Sequence, residues 1–343
     1  MEPGLITAGS ARISGSMGLR LARGAAIAFV LLCTAAGPAW ASFPGRNGAI
    51  AYGVSSGDRA SAPSTSIRTV DPRSGRVRVL RDCPIRADRP SPDCSVAGPH
   101  YSPNGLRIAF PTVELAYPVD QPEQSRPGLG IMAADGTRFE NRPTANRYSR
   151  LAWSPQGDRF LLERFLTPED RPAAMFITSL AGNELSQVRP GAAQGRASPQ
   201  PDWSSTGRIA FVASPTGCAF RCREDIFVKR VGGTPRRLTY RGGSSPSWSP
   251  HATKLAFVRR VGALRGDIYI VGKNGRGLRR LTYRGGYSPT WSPDGKWIAF
   301  MRGGDLHVVR TNGERRRRLV KDVGDEFGLG LAEAVDWQPL QRR

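Results

Sequence analysis

Lysine and histidine are scarce: five of the 50 basic residues are lysine (Lys229, Lys254, Lys273, Lys296 and Lys321), and there are three histidines. His100, His251 and His307 fall in separate contexts and read as ordinary surface or packed residues, which leaves nothing for a histidine-rich metal centre. Past the N-terminal segment there is no His-Glu-x-x-His pair, and there is no room for an appended hydrolase domain. No EF-hand-like run of carboxylates occurs. The expectation is a chain without catalytic residues, metal ligands or cofactor.

Long apolar runs are also missing. The longest lies between Ala25 and Ala36, preceded by Arg20 and Arg23 and followed by Gly37, Pro38 and the Ala39-Trp40-Ala41 site. About a dozen residues fall short of the ~20 needed to span a bilayer. The pattern of charged, apolar and small-residue regions is that of a signal peptide over residues 1–41, with cleavage after Ala41 and no stable membrane span thereafter. Met17 directly precedes the positive region, so residues 1–16 read as a mis-assigned start. An uncleaved anchor is the alternative. Leu32 stands where lipid attachment to Cys33 needs a small residue, so Cys33 leaves with the signal.

Four cysteines then remain in a chain bound for an oxidising compartment. Three pairings are possible. Cys83 with Cys94 and Cys218 with Cys222 are expected, since each pair falls within one expected loop and closes a short ring. Neither pair has the spacing or neighbouring histidine of a zinc site.

Acidic residues number 28 against 50 basic ones, giving a formal charge of +22. Such a charge attracts polyanions. Arginine richness of this kind reads as compositional bias, and export separates the chain from cytoplasmic nucleic acid. Anionic envelope polymers or a protein are the expected partners; nucleic acid is not. The oligomeric state stays open.

What the sequence does have is a repeat. Trp291-Ser-Pro-Asp-Gly-Lys-Trp-Ile-Ala-Phe300 recurs from Tyr101 to Phe110, from Trp153 to Leu162, from Trp203 to Phe211 and from Trp248 to Phe257. Pro presets φ, Asp or Asn suits the next turn position and Gly accepts positive φ, so the motif is a hairpin turn leading into a strand. The copy at Trp203 is one residue shorter and the copy at Trp248 lacks the glycine, so irregular turns are expected there. A second hairpin follows each copy, with turns at Asp71–Gly75, Asp135-Gly136, Gly182-Asn183, Gly232-Gly233, Asn274-Gly275 and Asn312-Gly313.

Four strands per unit follow. The aromatic landmarks at 101, 153, 203, 248, 291 and 337 recur every 43 to 52 residues, close to the roughly 40–45 of a propeller blade. No helical period intervenes. The fold class is all-β: a six-bladed β-propeller of four-stranded blades over residues 42–343. Phe43 to Tyr52 keeps the second half of the motif and Ala334 to Pro339 the first, so the N- and C-terminal strands pair to close the ring. A five-blade solenoid with a loose end is the alternative.

The Trp-Ser-Pro-Asp-Gly turn, the Ile-Ala-Phe strand, the Ile-Tyr strand and the Leu-Thr end together resemble the WD40-like (PD40) repeat of TolB-like propellers. The resemblance implies fold, export and partner binding. Because the repeat begins directly after the signal, the α/β domain that precedes the propeller in that family is not expected here, and its role in envelope complexes is not carried over.

Long connections fall on one face of such a ring: Arg81 to Pro99, Pro111 to Gly128, Phe165 to Ala173 and Ala213 to Arg223. Binding function sits on long loops held by a rigid scaffold. Two connections on that face repeat nearly word for word, Thr239-Tyr-Arg-Gly-Gly243 and Thr282-Tyr-Arg-Gly-Gly286. Arg241 and Arg284, with Arg147 and Arg196 from preceding connections, are the candidate binding residues for carboxylate, phosphate or sulfate groups; solvated arginines in a duplicated pair of blades are the alternative. The run Arg315 to Arg318 reads as charge protecting an outer strand. The leading expectation is an exported, non-catalytic binding propeller. The alternative is a propeller enzyme, a hydrolase or lyase acting on a sugar or peptide with acidic residues in the central channel. Deeply set carboxylates with perturbed titration would speak for it.

Overall fold

The computed structural model describes residues 43–56, 64–83, 94–96, 98–114, 126–164, 174–190, 200–215, 223–261, 265–323 and 334–341. They form six antiparallel sheets arranged as the blades of a propeller. Blade 1 contains β1 (Arg46–Ser56), β2 (Ser64–Val70) and β3 (Val77–Cys83). Blade 2 has a divided inner strand, β4 (Cys94–Val96) and β5 (His100–Tyr101), then β6 (Arg107–Glu114), β7 (Arg126–Ala133) and β8 (Glu140–Pro143). Blade 3 contains β9 (Tyr148–Trp153), β10 (Arg159–Arg164), β11 (Ala174–Ser179) and β12 (Glu184–Val188). Blade 4 follows with β13 (Asp202–Trp203), β14 (Arg208–Ala213), β15 (Asp225–Arg230) and β16 (Arg236–Arg237). Blade 5 runs through β17 (Ser244–Trp248), β18 (Lys254–Arg260), β19 (Gly266–Gly272) and β20 (Arg279–Arg280). Blade 6 is β21 (Tyr287–Trp291), β22 (Trp297–Arg302), β23 (Asp305–Arg310) and β24 (Arg317–Val320).

The last strand, β25 (Val335–Leu340), completes blade 1 by pairing with β1, Trp337 opposite Ile50 and Val335 opposite Tyr52. The closed ring replaces the solenoid alternative. No covalent turn joins this pair, yet the side-chain acceptor of the turn is kept. In an ordinary copy Ser292 Oγ accepts the N–H of Trp297 at 2.9 Å; in blade 1 the Gln338 Oε1 accepts the N–H of Ala49 at 3.3 Å.

That serine bond recurs in the other four copies, from Arg107 to Ser102, Arg159 to Ser154, Arg208 to Ser204 and Lys254 to Ser249. It explains why the two departing copies keep the turn. At the Trp248 copy, Ala252 itself takes φ +50° where the others place glycine, and its N–H still reaches Ser249 O at 2.8 Å. At the short copy, Gly207 N–H reaches Ser204 O at 3.0 Å before the strand begins one residue early. The expected irregularity is therefore absent from the bonds that close these turns. In the outer hairpins Gly75, Gly136, Gly182, Gly232, Gly275 and Gly313 all adopt positive φ, as the turn chemistry requires.

The core is six layers, one between each pair of neighbouring blades. Every landmark ring enters the layer shared with the preceding blade: Tyr101 packs with Ile67 and Phe110, Trp153 with Leu129, Trp203 with Leu161, Trp248 with Ile226, Trp291 with Ile268 and Trp337 with Val308. Large rigid rings bury the most area for the least lost rotamer freedom. Truncating such a side chain to alanine typically costs about 3–5 kcal/mol.

Cys83 and Cys94 form a disulfide. They stand at the end of β3 and the start of β4 and not inside a loop, so the bond joins the outer strand of blade 1 to the inner strand of blade 2. The N–H of Val96 to Thr65 Oγ1 bond, 2.8 Å, crosses the same boundary. Cys33, Cys218 and Cys222 lie outside the described residues. A ring of this length restricts the unfolded chain by about 2–3 kcal/mol. The Cys83→Ser, Cys94→Ser variant should lose stability of that order in denaturant unfolding; a midpoint equal to that of the oxidised parent would show that the bond contributes nothing.

Candidate functional site

Two regions concentrate polar chemistry, the central channel and the face where the fourth strand of one blade passes to the first of the next. The residue just before each landmark aromatic borders the cavities of the channel: His100, Ala152, Asp202, Ser247, Thr290 and Asp336, one from each blade. Strand β17 bulges between Ser244 and Ser247, and β21 between Tyr287 and Thr290. Each bulge follows from a residue in left-handed backbone ahead of a proline, Ser245 before Pro246 and Ser288 before Pro289, and Gln200 before Pro201 does likewise. Bulges of this kind re-aim a side chain. The cavity at this end of the channel measures about 80 Å³ and also meets Arg150.

Asp202 and Asp336 are half-buried toward this cavity and enclosed by protein on their other sides. Burial pushes Asp336 up to about 7, helped by the charge of Asp202 and opposed by the amides of Tyr101 and Trp337. Burial likewise raises Asp202 to about 6 against the amides of Trp248 and Trp203. His100 is held down to about 4 by burial and by Arg150. Each carboxylate also has a structural task. Asp202 Oδ2 accepts the N–H of Trp248 at 2.6 Å, from blade 4 to blade 5. Asp336 Oδ2 accepts the N–H of Tyr101 in blade 2 at 2.7 Å, and its Oδ1 the hydroxyl of Thr290 in blade 6 at 3.3 Å. Asp336, carried by the closing strand, thus ties three blades together. Among the described residues no group of three or more His, Cys, Asp or Glu side chains is placed to hold a metal ion.

The second region is built by a buried aspartate at the start of the third strand. Asp225 forms an ion pair with Arg237. Its Oδ1 accepts the Thr239 hydroxyl and the N–H of Gly242, both at 2.9 Å, and Thr239 Oγ1 in turn accepts the N–H of Ile226 at 2.9 Å. Blade 5 repeats the arrangement. Asp267 pairs with Arg280 and accepts from the Gly285 amide at 2.7 Å and from Thr282 at 3.3 Å. Gly242 and Gly285 adopt positive φ, which lets the connection fold down onto the carboxylate. Blade 6 keeps the clamp on Asp305, through Arg318 and the Asp322 amide, but carries Val320 and Lys321 where the other two carry Thr and Tyr.

The clamps present the sequence-expected arginines. Arg241 and Arg284 are exposed and lie over the start of the third strand, not among the residues lining the channel cavity. The next blade adds Arg259 beside Arg241: burial first, then Arg241 among its neighbours, holds Arg259 below the usual guanidinium range. Arg302 occupies the equivalent place in blade 6, lowered by burial and then by Arg316, Arg284 and Arg265. Arg147 is exposed at the entrance to blade 3 and engaged with its surroundings; Arg196 lies outside the described residues. The channel aspartates and the Asp225 and Asp267 clamps were not singled out from the sequence. The signal for the clamps was present, since Asp-Ile-Phe or Asp-Ile-Tyr precedes each Arg-Arg-Leu-Thr-Tyr-Arg-Gly-Gly run.

No family model matches the chain. A TolB homolog of Chlorobium luteolum is 36% identical over 110 residues, 31% of this chain and 22% of that protein. The chain thus matches under a quarter of the length of that relative. The crystal structure of TolB from Acinetobacter baumannii superposes with a TM-score of 0.64 at 17% identity, covering 85% of this chain and 67% of that one. The tricorn protease shares the fold at a TM-score of 0.51 and 14% identity, over 80% of this chain and 26% of the protease. In fold, this chain is a TolB-like six-bladed β-propeller.

Proposed function

We propose that the chain is an exported, non-catalytic binding propeller that engages an anionic partner, a protein or an envelope polymer, through the face carrying Arg241 and Arg284. One observation carries the reading. Arg241, Arg259, Arg265, Arg284 and Arg302 gather around two connections whose own carboxylates, Asp225 and Asp267, are already consumed by Arg237 and Arg280. The surplus of guanidinium groups is suited to bidentate recognition of carboxylate or phosphate. The signal-peptide pattern over residues 1–41 and the Cys83–Cys94 disulfide support an extracytoplasmic location. Among the described residues no helix is long and apolar enough to cross a membrane.

The arginines are tested by capture from a cell-envelope extract with residues 42–343 and an Arg241→Ser, Arg284→Ser variant of equal melting temperature. A component retained by the parent, released by salt and lost by the variant is expected. Equal retention by both proteins removes these arginines from the binding surface.

A channel enzyme is the second reading, favoured by the raised Asp202 and Asp336. Against it, both carboxylates are engaged as latches between blades. The latch reading fixes a sign. Asp336 titrates near 7 in the fold and near the ordinary carboxylate value when unfolded, so the native state binds more protons across that interval and loses stability as pH rises through it. His100, with its lowered value, acts in the opposite sense between about 4 and 6.5 in parent and variant alike. Asp336→Asn should therefore gain stability relative to the parent at pH 8 compared with pH 5, read as melting temperatures. An unchanged difference between the two pH values would show that Asp336 is not the titrating latch.

A further inference from the structure

Beside the arginines stand two tyrosines that the anion-binding reading does not use. Tyr240 is 70% exposed and Tyr283 65% exposed, among the most exposed large side chains described. Neither ring is loose. The Arg237 guanidinium lies 4.7 Å from the centre of the Tyr240 ring, and Arg280 lies 4.6 Å from that of Tyr283. Each guanidinium is held in turn by a buried aspartate and by the carbonyl two residues ahead of it, Arg237 Nε to Thr239 O at 3.0 Å and Arg280 Nε to Thr282 O at 2.9 Å. Each ring therefore has one backed face and one open face, with its orientation settled before any ligand arrives.

We infer that this face binds a carboxylated polysaccharide, laid across Tyr240 and Tyr283 with its carboxylates on the neighbouring arginines. The inference rests on the anion-binding reading and narrows it. A cationic partner is excluded by the surrounding guanidinium groups, and the cation already behind each ring draws on the negative face that a second cation would need. An acidic peptide satisfies the arginines and leaves the flat rings without a counterpart. A pyranose offers both features at once, a face of C–H groups to lie on a ring and an acid group in the same residue.

The repeat adds a second argument. The two platforms are equivalent positions of adjacent blades, and packed sheets stand about 10 Å apart. They suit an extended polymer with a regular repeat. Bases in a stacked strand recur about every 3.4 Å and would meet one ring at a time. Blade 6, with Lys321 in the tyrosine position, ends the tract.

The experiment measures affinity of residues 42–343 for polygalacturonate, poly-glutamate, a single-stranded oligonucleotide and neutral dextran. Variants are Tyr240→Ala, Tyr283→Ala and, separately, Arg241→Ser, Arg284→Ser, each checked for an unchanged melting temperature. Polygalacturonate should bind at least tenfold more tightly than the other three. The tyrosine variant should lose at least tenfold on the glycan alone, and the arginine variant should weaken both carboxylated polymers. Equal binding of poly-glutamate or the oligonucleotide, or a glycan affinity untouched by the tyrosine change, overturns the glycan and leaves anion binding standing. Failure of every polyanion to bind removes both.

Discussion

Everything in this molecule depends on the pairing of β25 with β1. Each blade buries its aromatic landmark against the blade before it, so a ring with six blades needs six filled layers, and the layer between blades 6 and 1 exists only when Trp337 arrives with the last strand. Without β25, blade 1 would keep three strands and an open edge, and the Asp336 carboxylate would be missing from Tyr101 and Thr290. The closing strand is thus a packing element and an electrostatic one at once. Gln338 stands where the other copies carry the turn serine and supplies the same acceptor opposite the first amide of the second strand, while the strand ladder and the Trp337 Nε1–H to Gly48 O bond at 3.0 Å hold the two segments together without a connecting turn.

The two ends of the site chemistry are set by the same geometry. The residue before each landmark lies on the opposite face of its blade from the landmark, because side chains alternate along a strand, so at the inner edge it is directed at the following blade, where Asp202 meets the N–H of Trp248 and Asp336 that of Tyr101. The aspartate clamps lie at the opposite side of the blade, where the third strand begins, and use a buried charge to hold a connection down. Removing one partner of such a buried pair is costly because the other charge is left uncompensated, which explains why arginine, threonine and glycine accompany the aspartate in both copies.

The blades were legible in the sequence because one turn motif and one period repeat through it, and Trp-Ser-Pro-Asp-Gly has a direct backbone meaning. The ring closure was legible because Ala334 to Pro339 and Phe43 to Tyr52 are complementary halves of that motif. The regularity of the Trp248 turn was not, since a missing glycine reads as a broken turn until Ser249 is seen to hold the strand start. The channel carboxylates were overlooked for a physical reason. Asp202 and Asp336 are ordinary single acids in the chain, 134 positions apart by number, and only the circular arrangement brings them to one cavity. Arg241 and Arg284 were found through the repetition of their connections, whereas the tyrosines one position earlier gained meaning only once Arg237 and Arg280 were seen beneath them.

The pairing of the first strand with the last also governs the order in which the chain can be completed. Blades 2 to 6 are each contiguous stretches whose contacts are local, and such contacts form early because little loop entropy opposes them. Blade 1 must wait for residues at the far end of the polypeptide. A chain delivered N-terminus first through a narrow passage therefore remains an unclosed arc until β25 emerges, and only then closes into a ring, so that the architecture defers its own completion to the strand most distant in sequence from its partner.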